Sequence, residues 1–181
     1  MIKMMKCAVA LVLAVSTLLT LVLLVSCGDT TGAIEDFLTS DNYTFKAGAL
    51  TVKVDSSTVY YNDGVTTKYL FLDKTSGRYF YCEIGADGTI NKEALLSSEK
   101  YILYYGQLVS TVASTTKILT GFLQTASMLE EVDGAYTVGN YTVKESDGVI
   151  TCITGSSVAE VSSVGSTTVE VPKSVLSADE K

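Results

Sequence analysis

From Tyr43 onward the apolar residues recur every second position, and this period constrains the fold more than any other feature of the chain. Tyr43, Phe45 and Ala47 share one parity, and Leu50, Val52 and Val54 share the other. Alternation of this kind is the mark of β-strands whose side chains point to opposite faces in turn. The parity switch falls at Gly48-Ala49, which suits a β-bulge or a sharp bend. Turn residues then punctuate further strands. Asp55-Ser56-Ser57 precedes Val59-Tyr60-Tyr61, and Asn62-Asp63-Gly64 is a hairpin signal before a strand over 66–72. A turn over 73–77 leads to a strand over 78–84, and Gly85-Ala86-Asp87-Gly88 closes this first block.

The period then changes. Ala94-Leu95-Leu96, Ile102, Tyr105, Leu108, Val109, Val112, Ile118, Leu119, Phe122 and Leu123 recur at helical spacings. They predict two or three helices over 91–125, with the aromatic run at 101–105 also readable as a strand. Strands resume over 128–132, 136–144, 148–154, 158–164 and 167–171, with Asp133-Gly134 and Asp147-Gly148 as turns and Pro172 ending the sheet. Ahead of the first strand, Ile34, Phe37 and Leu38 stand at i, i+3 and i+4, one face of a short helix. The pattern predicts about nine strands in two blocks: an α+β domain on a strongly curved antiparallel sheet, a half-barrel, with helices inserted between the blocks.

The N-terminal segment has a different character. Lys3 and Lys6 precede an uncharged stretch over 7–25, which ends in Leu24-Val25-Ser26-Cys27. A basic start, an apolar run and a small residue before the cut describe a secretory signal. Leu-Val-Ser-Cys resembles the lipobox of bacterial lipoproteins, which implies acylation of Cys27 and cleavage after Ser26. The other reading of 7–25, a transmembrane anchor, is long enough to span a bilayer. Cleavage is favoured because the run stops at a small residue and a cysteine, with no basic stop-transfer cluster after it. The expected organisation is a signal peptide over 1–26, a lipidated tether over 27–32, a single α+β domain over 33–172 and a loose tail over 173–181. This places the domain on the extracytoplasmic face of a bacterial envelope, held at the membrane through Cys27.

Removing 1–26 leaves 155 of the 181 residues, the size of one domain. It also removes two of the 13 basic residues and none of the 20 acidic ones, taking the net charge from −7 to −9. An acidic domain without a basic cluster argues against nucleic acid as a partner. Histidine is absent, which excludes Ser-His-Asp and Cys-His catalysis. No phosphate-binding glycine loop, Gly-x-Ser-x-Gly, Cys-x-x-Cys or EF-hand loop is present. Glu130-Glu131-Val132-Asp133 is the densest acidic run, but neighbours on a strand point apart, and it reads as a solvated edge. The expectation is a non-enzymatic protein with no cofactor and no metal. Cys82 and Cys152 fall in strands, either bridged or as two small buried thiols.

Eleven tyrosines supply the remaining signal. Tyr69, Phe71, Tyr79 and Tyr81 share a parity class, and Leu70, Leu72, Phe80, Cys82 and Ile84 share the other, so both faces of these strands carry apolar groups. Either the first set lines a ligand groove with phenols at its wet rim, or helices cover one face and tyrosines shield the other.

The layout resembles the LolA-type lipoprotein carriers and related lipid-carrying lipoproteins of bacterial envelopes. The resemblance covers 34–172. It rests on Leu38-Thr39-Ser40-Asp41-Asn42-Tyr43-Thr44 opening the first strand, the tyrosine-rich meander, Val132-Asp133-Gly134-Ala135-Tyr136, and Val164-Gly165-Ser166-Thr167-Thr168-Val169-Glu170-Val171-Pro172 closing the sheet. It implies an unclosed β-barrel with helices over its mouth and an apolar cavity for acyl chains. That family lines its cavity by position, so no functional residue transfers by motif. A soluble shuttle is not itself lipidated, so the lipobox brings this chain nearer to the anchored carriers. The expected function is an anchored lipoprotein binding or carrying a lipid or other apolar ligand. The alternative is a surface or structural lipoprotein that acts through protein contacts and has no ligand cavity.

Overall fold

The structure, a computed structural model, describes residues 28–73 and 76–172. The leader 1–26, Cys27 and the tail 173–181 lie outside the described residues. Among the described residues eleven strands form one sheet in which every neighbouring pair is antiparallel. The first block is β1 (Asn42–Ala47), β2 (Leu50–Asp55), β3 (Thr58–Asn62), β4 (Thr67–Asp73), β5 (Arg78–Ile84) and β6 (Ile90–Leu96). The second is β7 (Glu131–Val132), β8 (Ala135–Val138), β9 (Tyr141–Ser146), β10 (Val149–Thr154) and β11 (Ser157–Ser162). The spatial order is β6-β5-β4-β3-β2-β1-β11-β10-β9-β8-β7. Each block is therefore a meander, and β1 joins them by pairing with β11, from Thr44 opposite Ser162 to Ala47 opposite Ala159. β6 and β7 are the two free ends of the order, so the curved sheet is unclosed.

Local chemistry explains the hairpins. Asp133-Gly134 and Asp147-Gly148 each hold two successive residues at positive φ, at 52° and 74° and at 53° and 76°. Two such residues make the turn whose twist matches antiparallel strands. Gly48-Ala49 proves to be another two-residue turn, joining separate strands β1 and β2, rather than a bulge within one strand.

Among the described residues three helices pack on one face of the sheet: α1 (Gly28–Thr39), α2 (Ser98–Leu108) and α3 (Ser110–Thr125), the last followed by a 3₁₀ turn at Ala126–Met128. Ser97 caps α2 by accepting from the Lys100 N–H at 3.4 Å. Ile34 and Phe37 of α1, Leu108 of α2, and Val112, Leu119 and Phe122 of α3 are buried together with Phe45, Val52, Leu70, Val143, Ile150 and Val161 from the sheet. Burial of side chains of this size contributes about 1.5–3 kcal/mol each.

Several expectations are corrected. Residues 28–32 are not a tether but the first turns of α1, where Thr30 is already buried. Residues 91–96, read as the start of the helices, belong to β6, because β5 presents an edge that this short run can pair with. The aromatic run at 101–105 lies within α2. The strand expected over 136–144 is two strands parted at Gly139-Asn140, and most of 128–132 is a 3₁₀ turn and loop. Residues 167–171 belong to no strand; they form a strap whose Val169 and Val171 pack on the outer face of the sheet.

Candidate functional site

The four aromatic residues proposed from parity as a ligand lining are not brought together. Asp73 pairs with Arg78, so every odd-numbered residue of β4 faces an even-numbered one of β5. Tyr69 and Phe71 thus share the outer face with Phe80 and Cys82, while Tyr79 and Tyr81 share the inner face with Leu70 and Leu72. On the inner face the tyrosines meet α2 ring to ring, Tyr79 against Tyr101 at 4.4 Å between centroids and Tyr81 against Tyr104 at 4.6 Å. The Tyr101 hydroxyl donates to the Ser57 carbonyl at 3.1 Å, and the Tyr81 hydroxyl donates to Glu83 Oε2 at 2.8 Å. Burial, reinforced by the Glu83 carboxylate, pushes the Tyr81 phenol well above its ordinary value. The space under α2 is occupied by packed rings.

On the outer face Tyr69, Phe71 and Cys82 form a second, smaller cluster with Tyr60, Phe80 and Ile84, and Val169 and Val171 cover it. Cys152 lies in the main core on the inner side. Cys82 and Cys152 are therefore on opposite faces of strands six places apart in the sheet, and no disulfide joins them. Burial pushes the Cys152 thiol up from its ordinary value.

An apolar cleft of about 380 Å³ opens elsewhere, between α3 and the β8–β9 hairpin. Ile118 and Phe122 form one wall, Val138, Tyr141 and Val143 the other, and Gly121 leaves the helix side open. A Cβ placed on Gly121 would meet nothing within 4 Å. Lys117 stands exposed at the rim, and the Thr125 hydroxyl is turned back onto the Gly121 and Phe122 carbonyls, at 3.3 and 3.2 Å. An apolar floor with one cation at its mouth suits a single hydrocarbon chain with an acidic or polar head. Sequence reasoning did not single out these residues. The helical period marked Ile118 and Phe122, but nothing in the order of residues says that α3 lies beside β8.

A second hollow, of about 430 Å³, lies at the loop end of β3, β4 and β5, around Asn62, Gly64, Thr67 and Gly85. The acidic residues in the adjoining loops, Asp63 and Asp87, do not line it and serve their own turns. Asp63 Oδ1 accepts from the N–H groups of Val65 and Thr66 at 3.0 and 2.8 Å, and Asp87 Oδ1 from that of Thr89 at 3.0 Å. The backbone donors hold both carboxyls below the usual range. Glu131 of the acidic run accepts the Tyr136 hydroxyl at 2.7 Å on the short edge strand β7. Among the described residues no three His, Cys, Asp or Glu side chains stand together as metal ligands, and no helix is long and apolar enough to cross a membrane.

Comparison of the chain with models of known protein families, with curated proteins and with solved structures finds no match.

Proposed function

We propose that this is a membrane-anchored envelope lipoprotein without enzymatic activity, whose half-barrel holds an acyl chain in the cleft between α3 and β8–β9. The observation that carries this reading is the apolar lining of that cleft, Ile118, Phe122, Val138 and Val143, with Lys117 at its mouth. Its volume of about 380 Å³ falls at the small end of the range for ligand sites, enough for one chain and not for a whole phospholipid. The lipobox at Cys27 supports the anchoring and the extracytoplasmic location.

The test is to grow cells on a photoactivatable fatty acid, irradiate them, and map the cross-linked peptides of the purified chain. Cross-links concentrated in α3 and the β8–β9 hairpin, and lost in Gly121→Leu, support the reading. Cross-links found only elsewhere overturn the cleft as an acyl site. A second reading, a domain that works through protein contacts alone, draws on α2. There Tyr101 and Tyr104 close the sheet beneath while Ile102 and Leu103 are exposed on the outside. That reading gains if no lipid cross-link maps to the cleft.

A further inference from the structure

We infer that the occupant of the cleft is an acyl chain of this protein's own anchor at Cys27. The inference rests on the reading of Cys27 as lipidated and names the ligand of the site proposed above.

It starts from the correction to the tether. With no slack segment after Cys27, the residue to be acylated is bonded directly to Gly28, the first residue of α1. Helix α1 is fixed at its C-terminal end. Phe37 in its last turn packs edge-on against Tyr43 of β1, with ring centroids 5.1 Å apart. The helix also packs on β10, β9 and α3. Three strand spacings separate β1 from β9 in the sheet order, about 14 Å at the usual spacing. Twelve helical residues run about 18 Å. With Phe37 held at β1, the part of the helix N-terminal to it runs toward β9 and α3, and Thr30 in that part is buried. Those same two elements wall the cleft, through Tyr141 and Val143 on β9 and Ile118, Gly121 and Phe122 on α3.

An acyl chain on Cys27 thus starts next to a helix that packs on both elements forming the cleft, and a chain entering it stays on the same molecule. An intramolecular ligand on a short attachment binds at a high effective concentration, in the millimolar range for short linkers. A free lipid would have to reach that concentration to compete. A lipoprotein carrying three acyl chains would keep two of them in the bilayer, enough for the stable anchoring that a single chain does not give. The domain would then sit close against the membrane with one chain withdrawn from it.

The experiment uses the full-length chain acylated in cells with a photoactivatable fatty acid. Membranes from ordinary and ¹⁵N-grown cells are fused before irradiation, and the digested protein is read by mass spectrometry. The expected product joins the Cys27 peptide, through its acyl chain, to a peptide of α3 or β8–β9, with both peptides of one isotope. Gly121→Leu should lose that product while Cys27 stays acylated. Cleft peptides bearing only free lipid, or Cys27 joined to a cleft peptide of the other isotope, overturn the inference and leave the acyl site itself standing. Labelled Cys27 with no product in the cleft overturns both. Absence of any label at Cys27, with the leader retained, overturns the anchoring on which the inference stands.

Discussion

Asn42 and Thr167 pair through a side chain that imitates a strand. The Asn42 amide donates to the Thr167 carbonyl at 2.9 Å, and its Oδ1 accepts from the Thr167 N–H at 2.7 Å. The Asn42 carbonyl also accepts from the Gly165 N–H at 2.8 Å, and the buried hydroxyls of Thr44 and Thr167 lie 2.9 Å apart. Residues 163–167 are thereby fastened to the start of β1, and the chain beyond them is led over the outer cluster that Val169 and Val171 cover.

Replacing Asn42 with Ala removes two of these bonds and leaves both backbone groups of Thr167 without their partner. The expected loss of stability is about 2–3 kcal/mol, read by denaturant unfolding. Lifting of the strap should also speed labelling of the Cys82 thiol under native conditions, resolved by peptide mass. A variant as stable as the parent, with Cys82 labelled no faster, would show that the strap holds without Asn42.

Leu119 and Gly121 are two residues apart on α3 and should respond in opposite ways. Leu119 is fully buried, so Leu119→Ala should cost about 2–5 kcal/mol. Gly121 faces the open cleft, and Gly121→Leu should leave stability unchanged or raise it by up to about 1 kcal/mol through better helix propensity. Thermal or denaturant unfolding of the two variants decides the matter. A large loss in Gly121→Leu would mean that the cleft is closed in solution.

The strands and their order of appearance were legible because Tyr43, Phe45, Val52 and Val54 alternate cleanly and because Asp133-Gly134 and Asp147-Gly148 are strong turn pairs. The half-barrel followed from two such blocks with helical spacing between. What failed was local and has a physical cause in each case. Asn91 to Leu96 carries too few apolar residues to fix a period, and pairing with the edge of β5 decided it. The parity of Tyr69, Phe71, Tyr79 and Tyr81 broke at the β4–β5 turn, because facing residues there have opposite parity. Gly28 to Gly32 looked like a linker by composition, yet it forms the first turns of α1, with Thr30 buried. The cleft was invisible, since it depends on how α3 is laid beside β8 and β9 rather than on any residue pattern.

With Cys82 in the outer cluster and Cys152 in the core, a reducing agent should not change the melting temperature. A native disulfide closing a loop of this length would be worth several kcal/mol, and its reduction would lower the midpoint by many degrees. Melting curves with and without a thiol reductant make the comparison. A clear drop on reduction would require the two strands to approach in a way that the sheet order does not allow.

The tyrosines set the alkaline limit of the fold. Burial raises the phenols of Tyr43 and Tyr81 well above the ordinary value, assisted at Tyr43 by Tyr105 and at Tyr81 by the bond to Glu83. Tyr101 and Tyr105 shift the same way, again mainly through burial. A raised phenol keeps its proton in the folded chain after the unfolded chain has released it. Above the ordinary tyrosine value of about 10 the folded state therefore binds more protons, and stability falls as pH rises. Below that value these groups are neutral in both states and their contribution is fully present. Denaturant unfolding between pH 9 and 12, followed with phenolate absorbance, should show stability declining above about pH 10, with the buried phenols ionising only as the chain unfolds. Tyr81→Phe keeps the ring against Tyr104 and should flatten part of that decline. Stability that stays level through this range, or phenols that ionise freely in the folded protein, would contradict the packed tyrosine layer beneath α2.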